Sequence, residues 1–271
     1  MTQLQTLKTD LNQTRIVSRN SDEINDDEIL LKIERFSFTA NNVTYGVAGD
    51  TIGYWQFFPA IDDPDNSWGC IPVWGFAEVV TSKNEVIEKG ERVFGYFPPA
   101  NFLIVKPIKV SPQSFSDGQE HRQELPPVYN NYVRLNSEEN YDASMDNIRA
   151  LLFPLHITAF CLCDALEVQS YEGASQIIIV SASSKTAIGL AQGLAETDDS
   201  PKIVGLTSKN NVEFVENLGC YNQVISYDDL GSLSIDSSVM VDMSGNQAVL
   251  SSVQSSLGDN MLKCITVGMT H

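Results

Sequence analysis

The spacing of apolar and polar positions divides the chain into two halves with different periods. Over residues 28–110 the apolar residues form short runs with a near two-residue alternation, as half-buried strands require. Glu28 to Phe36 (EILLKIERF), Ala77 to Val80, Arg92 to Tyr96 and Phe102 to Lys106 are such runs, ended by charged residues, Gly or Pro. Gly49 to Gly69, rich in aromatic residues and Asp, reads as loop. The pattern predicts a small β-barrel or sandwich. Residues 111–147 are polar, carry Pro112, Pro126 and Pro127, and read as strand only over Val128 to Leu135. A solvated surface excursion is the plain expectation for this stretch. A substrate-side loop is the sharper one, because long loops in compact domains are often functional.

From about Asp146 the period becomes helical. Ile148 to Leu166 carries apolar residues at helical spacing, interrupted by Pro154, which predicts a helix, a break and a second helix. Five short apolar strands then alternate with helical or loop segments: Gln176 to Ser181, Lys202 to Thr207, Gln223 to Tyr227, Ser238 to Met243 and Lys263 to Gly268. Near-continuous apolar strands are what a parallel sheet covered on both faces requires, and strand–helix alternation implies a doubly wound α/β fold. The expected domains are residues 1–147 and 148–271. Ligands of such sheets bind at the carboxyl ends of the strands, where the strand order reverses.

Charge and composition narrow the partners. Of 271 residues, 17 are basic and 35 acidic, a net charge of −18, which argues against nucleic acid and against an anionic membrane surface. No uninterrupted apolar run approaches the roughly 18 residues of a membrane helix, and the N-terminus lacks the apolar core of a signal peptide. Cys70, Cys161, Cys163, Cys220 and Cys264 form no CxxC pair, so a disulfide framework and a structural zinc site are not expected. Cys161 and Cys163, in an apolar helical context, are expected to be buried and inert. A reducing cytoplasm is the expected compartment.

The loop after the first parallel strand is the first candidate for chemistry. In IIIVSASSKTAIGLAQGLAE, four apolar residues lead into Ser181, Ala182, Ser183, Ser184, Lys185 and Thr186, and a helix follows. Strand, small-residue turn and helix N-terminus together make an anion site, with hydroxyls and the Lys185 charge added. An ordinary N-cap is the alternative, since Ser and Thr are preferred there. A Walker loop is excluded, because its two glycines fall on Ser184 and Ile179. Gly189 and Gly193, four apart, are expected to let the helix approach the sheet closely. The second strand, KIVGLTSKNN, ends without the acid that accepts an NAD ribose 2′-hydroxyl. Ser208 and Lys209 suit a 2′-phosphate there, with a polar turn capping the next helix as the alternative.

In order along the chain, several segments resemble the medium-chain dehydrogenase/reductase superfamily on its zinc-free, quinone-reductase-like side. ILLKIERFSFTANNVTYGVAG resembles the family's opening strand and Asn-containing turn. IPVWGFAEVV with KGERVFGYFP resembles its barrel core, FPLHITAFCLCDAL its "L-T-A-Y" helix, and GASQIIIVSASSKTAIGLAQGLA its phosphate loop. TSKNNVEFVENLGCYNQVISY resembles the stretch that follows. SASSKTAIGLA, NNVTY and ITVGMTH are similar to an uncharacterised branch, a domain-of-unknown-function family. The resemblance implies a GroES-like β domain followed by a Rossmann-like doubly wound sheet, and reduction of a small carbonyl or enone by NADPH.

The resemblance also implies roles for single residues. Thr158, Ser181, Ser183, Ser184, Lys185, Thr186, Ser208, Lys209 and Gly268 would contact NADP(H). Tyr45, with Asn41 or Asn42, would polarise the substrate oxygen or relay a proton, the alternative being a half-buried barrel tyrosine. His121 and His156 are further candidate acids. The zinc-dependent branch's Gly-His-Glu position reads Trp74-Gly75-Phe76, so no zinc is expected. Ser181, Ser184 and Ala187 stand at the glycine positions of the phosphate loop, and Ser at the second narrows the approach of a pyrophosphate. Relatives continue past the fifth parallel strand, so a truncated sheet is expected, with an exposed apolar patch beside residues 263–271 or a homodimer covering it. A non-catalytic nucleotide- or partner-binding protein, or an inactive fragment, are the rival functions.

Overall fold

A computed structural model of the chain describes residues 1–20 and 23–268. It divides into two units, Met1–Leu151 and Leu152–His271.

In the first unit, β1 (Thr2–Leu7) and β2 (Asp10–Ser18) form an antiparallel hairpin, in a stretch where the hydrophobic pattern predicts no strand. β3 (Ile29–Ser37) is followed by a short helix, α1 (Ala40–Val47), where the resemblance implied only a turn. The cause is local: Thr39 caps the helix and the Asn42 side chain returns a bond to the Thr39 amide, a reciprocal cap that satisfies two otherwise orphan donors. β4 (Trp68–Gly69) joins the hairpin as β2-β1-β4. β5 (Val73–Ser82), β6 (Arg92–Phe97), β7 (Phe102–Val105), β8 (Pro107–Ile108), β9 (Ser114–Asp117) and β10 (Asn131–Arg134) make an antiparallel sheet with β3, ordered β7-β3-β5-β6-β10-β9-β8. Ile29, Leu31, Val73, Val79, Phe97 and Tyr132 are among its fully buried residues. The Gly49 to Gly69 stretch is mostly loop, and it wraps Trp55. A Cβ on Gly49 would lie 2.0 Å from the indole and one on Gly69 2.3 Å, so only glycine lets the backbone pass.

The polar stretch 111–147 is not a solvated excursion. It supplies β9 and β10 and buries Phe115, Arg122, Tyr132 and Leu135. The Arg122 guanidinium is fully enclosed and donates to Asp117 (2.9 Å), Asn130 (2.7 Å), the Tyr132 hydroxyl (2.9 Å) and the Tyr129 carbonyl (2.7 Å). The segment reads as polar because its polar groups serve one another. Within Val128 to Leu135 only Asn131–Arg134 is strand; Pro127–Tyr129 is a 3-10 turn.

α2 (Asp146–Val168) runs through Pro154 without the predicted break. Proline removes the N–H that would reach the Ala150 carbonyl. The Ser37 hydroxyl donates to that carbonyl instead, at 2.7 Å, and the Thr158 hydroxyl donates back to the Pro154 carbonyl at 2.9 Å. The helical stretch Ala143–Val168 is long and apolar enough to cross a membrane by length and composition, although it contains no uninterrupted apolar run. Only 11% of its most apolar window is buried. Accordingly Cys161 is exposed and Cys163 half-buried, against the expectation that both are core residues, because α2 packs along one face only.

The second unit is a five-stranded parallel sheet, ordered β13-β12-β11-β14-β15. Its elements are β11 (Gln176–Val180), α3 (Lys185–Ala195), β12 (Lys202–Thr207), α4 (Val212–Glu216), β13 (Gln223–Ser226), β14 (Ser238–Asp242), α5 (Gln247–Leu257) and β15 (Met261–Thr266). All five β11 residues are buried because both sheet faces are covered. Ile177 and Ile179 pack with Leu166 of α2 and Leu190 and Leu194 of α3, whereas Ile178 and Val180 pack with Val249, Val253 and Leu257 of α5. Each such side chain contributes roughly 1.5–3 kcal/mol. Gly189 and Gly193 do not face the sheet. Cβ atoms there would lie 3.0 Å from Ala159 and 3.2 Å from Cys163, so these glycines set the close approach of α3 to α2. β15 is an edge strand with Leu262, Cys264 and Thr266 exposed; residues 269–271 of the stretch singled out above lie outside the described residues.

Candidate functional site at the carboxyl edge of the parallel sheet

The strand order reverses between β11 and β14, and two turns meet at that switch point. After β11, Ser181 takes a left-handed conformation (φ 63°) that costs a non-glycine residue roughly 1–2 kcal/mol. Its amide donates to the Tyr227 hydroxyl at 3.0 Å. The Tyr221 hydroxyl donates to the Ala182 carbonyl at 2.9 Å. The Ser183 hydroxyl accepts from Asn211 at 3.0 Å and lies 3.5 Å from the Thr207 hydroxyl. The loop is therefore fastened to the ends of β12 and β13. Ser184 caps α3 through the Ala187 amide, at 3.3 Å.

That cap uses one donor and leaves others. The amides of Lys185 and Thr186, at the first two positions of α3, have no hydrogen bond among the described residues. The Lys185 side chain is exposed beside them. At the end of β12, Thr207 is buried, whereas Ser208 and Lys209 are exposed, and no acid stands among residues 203–212. Free amides at a helix N-terminus with two exposed lysines suit a phosphate-bearing ligand.

On the other side of the switch point the buried Asp242 carboxylate accepts from the Ser244 amide (2.8 Å), the Ser244 hydroxyl (2.7 Å) and the Gly245 amide (3.0 Å). It shapes the turn and has no free face for chemistry. The Gly268 amide donates to the Asp242 carbonyl at 3.0 Å, and a Cβ on Gly268 would lie 2.3 Å from the Met243 carbonyl oxygen. Gly268 is thus needed where β14 and β15 end side by side. Thr158, in mid-α2, spends its hydroxyl proton on Pro154.

Within the first unit, Tyr45 stands on α1 among aromatic rings, 4.7 Å from Tyr54 and 5.8 Å from Tyr96 between centroids. Asn41, one turn earlier, donates to the Tyr45 hydroxyl at 3.1 Å. Burial, and then the neighbouring Tyr129, pushes the Tyr45 phenol up to about 12, against hydrogen bonds from Trp74 and Asn41. Tyr45 is therefore a neutral donor throughout the physiological range. Asn42 is a different case: its carbonyl oxygen caps α1 and its amide donates to the Pro72 carbonyl at 2.8 Å, so it is fully engaged in structure. Tyr129, which the sequence pattern did not single out, shares a 3.0 Å hydroxyl contact with Tyr54. Burial lowers the pKa of His121, whose Nε2 lies 3.2 Å from the Phe57 carbonyl oxygen. His156 is exposed on α2.

The sequence reading missed Tyr221, Tyr227, Asn211 and Asp242. The first three reach the loop from 28 to 46 residues away and follow no local pattern. The fourth had a signal, a single acid closing an otherwise apolar strand.

Residues 36–271 match a family model described as "Protein of unknown function (DUF2855)". No curated protein matches the chain by sequence. Solved structures share its fold at low identity. A putative NADPH:quinone reductase from Bacillus thuringiensis has a TM-score of 0.58 and 12% identity, over 99% of this chain and 72% of that one. CurA from Vibrio vulnificus in complex with NADPH has a TM-score of 0.62 and 12% identity, over 98% and 72%. The YhdH oxidoreductase from Salmonella enterica in complex with NADP has a TM-score of 0.52 and 12% identity, over 99% and 75%. The fold is that of the medium-chain dehydrogenases and reductases.

Proposed function

The chain belongs to the DUF2855 family, a branch with the medium-chain dehydrogenase/reductase fold, and on that premise we propose that it is an NADPH-dependent oxidoreductase acting on a small carbonyl or enone. One observation carries this reading. The Ser183 hydroxyl ties the phosphate-loop candidate to Asn211, in the turn that bears Lys209, so the two exposed lysines flank one carboxyl edge of the sheet. Two of the structural neighbours are complexes with NADPH or NADP, which supports the same cofactor here.

In this reading the Lys185 and Thr186 amides and the Lys185 ammonium hold the pyrophosphate, and Ser208 and Lys209 hold the ribose 2′-phosphate. Ser181 and Ser184 shape the loop. Thr158 and Gly268 serve as backbone and packing neighbours. NADPH, when bound, supplies the hydride. Tyr45, kept protonated by burial and held by Asn41, is the first unit's candidate donor of a hydrogen bond to a carbonyl oxygen. Nucleotide binding without hydride transfer is a second reading. It is favoured by the Ser181 amide, whose bond to Tyr227 removes one donor from the loop and so changes the pose in which a bound nucleotide lies.

The test is a titration of the full chain with NADPH and with NADH, read by tryptophan fluorescence and thermal shift, repeated with Lys209→Glu. Tighter NADPH binding, with NADPH weakened more than NADH in the variant, is expected. Equal weakening, or tighter NADH in the unchanged protein, refutes the cofactor assignment. Absence of NADPH oxidation across quinones, enones and aldehydes, with binding intact, leaves the second reading standing.

A further inference from the structure

In the second unit, α2 and α3 border a groove of about 800 Å³ that the cofactor reading leaves unexplained except at its Lys185 end. Its apolar walls are Leu152, Leu155 and Phe160 of α2 and Ile188 of α3. Phe160 is 65% exposed and Leu152 39% along the same groove, and contiguous exposed apolar surface marks an interaction site.

The two helices run in the same direction. Gly189 meets Ala159 and Gly193 meets Cys163, so a step of four along α3 matches a step of four along α2. Parallel helices superpose their dipoles, which makes the carboxyl-terminal end of the groove negative. The side chains add to this: Asp164, Glu167 and Glu196 are exposed at that end, whereas Lys185 lies at the other. Gly189 and Gly193 draw the helices together into a shallow floor, and α3 spans 11 residues, roughly 16 Å at 1.5 Å per residue. A trough of that length between two helices accepts the apolar ridge of a third.

We infer that this groove docks a short amphipathic helix of another protein, laid antiparallel to α2 and α3, with Lys or Arg along the half that meets Asp164, Glu167 and Glu196. Antiparallel packing sets the partner's positive dipole end against the acidic end of the groove. Charge complementarity selects this occupant. A lipid surface with anionic headgroups is repelled by the same three carboxylates. A second copy of the chain brings a like acidic end and a concave face, which does not fill a concave face.

The experiment uses the full chain and a fluorescein-labelled synthetic helix of about 16 residues, with Leu at i, i+3, i+4 and i+7 and Lys along its amino-terminal half. Anisotropy is expected to report saturable binding. Phe160→Ser, at an exposed position, is expected to weaken it about tenfold. The Asp164→Lys/Glu196→Lys double variant is expected to lose the lysine peptide and to bind a peptide with Glu in place of Lys. Phe214→Ser, which removes an exposed aromatic on α4, is expected to leave binding unchanged. Circular dichroism melts check that each variant is folded. The inference is overturned by absence of saturable binding, by equal binding of the lysine and glutamate peptides to the unchanged protein, or by equal loss with Phe214→Ser. It is also overturned if the protein instead binds phosphatidylcholine vesicles, or forms a concentration-dependent dimer that Phe160→Ser abolishes.

Discussion

Arg122 in the first unit and Lys185 in the second are both cations of polar segments, and their surroundings differ in kind. Arg122 is enclosed, with Asp117, Asn130, Tyr132 and the Tyr129 carbonyl accepting its protons and the Phe57 and Phe58 rings within 5.6 and 4.8 Å. Lys185 is exposed beside amides without partners. A buried charge must be fully paired or it unfolds its surroundings, so its donors are spent on the protein. An exposed charge at a helix N-terminus costs little and remains available to a ligand. The β unit thus spends its polar chemistry on architecture, and the parallel-sheet unit keeps some free at the strand ends.

The largest test of this contrast is Arg122→Leu. It leaves Asp117 buried without its ion pair and is expected to destabilise the protein by about 3–5 kcal/mol, measured by urea denaturation. A loss below about 1 kcal/mol would show that the network is dispensable.

Alkali should act on the same unit next. Burial raises Tyr45 and Tyr132 to about 12, above the ordinary phenol value of 10.0. The folded state then binds more protons than the unfolded one between pH 10 and 12, so the stability present below pH 10 falls as pH rises through that window. Phenolate absorbance near 295 nm, flat to about pH 11 for these residues and rising together with unfolding, is the expected signature. Titration of every tyrosine near pH 10 with the fold intact would contradict the burial.

Lys185→Ala addresses the other side. It is expected to weaken NADPH about tenfold, as loss of a charge-assisted hydrogen bond does, with little change in melting temperature. Unchanged affinity with a lower melting temperature would make the loop a helix cap alone.

Ser181→Gly is the smallest effect. Relief of the left-handed backbone, less the entropy that glycine adds to the unfolded chain, is expected to stabilise by about 0.5 kcal/mol. A lower melting temperature would mean that the serine side chain contributes more than its strain costs.

The sequence determined the second unit almost strand by strand. β11 to β15 fall within a few residues of the apolar runs that predicted them, because a strand covered on both faces must be apolar throughout and its helices must alternate with it. The same reading placed Lys185 at a helix N-terminus and Ser208 and Lys209 just past the second parallel strand, since a strand, a turn and a helix N-terminus are contiguous in sequence. Tertiary structure alone decided the rest. α2 survives Pro154 because Ser37, more than a hundred residues earlier, supplies the missing donor. Residues 111–147 look solvated until Arg122 finds Asp117, Asn130 and Tyr132. Gly189 and Gly193 turn toward α2 because Leu190 and Leu194 take the sheet face. Periodicity states that a residue will be buried; which partner buries it, and whether a polar group is spent or left free, depends on contacts between residues far apart in the chain.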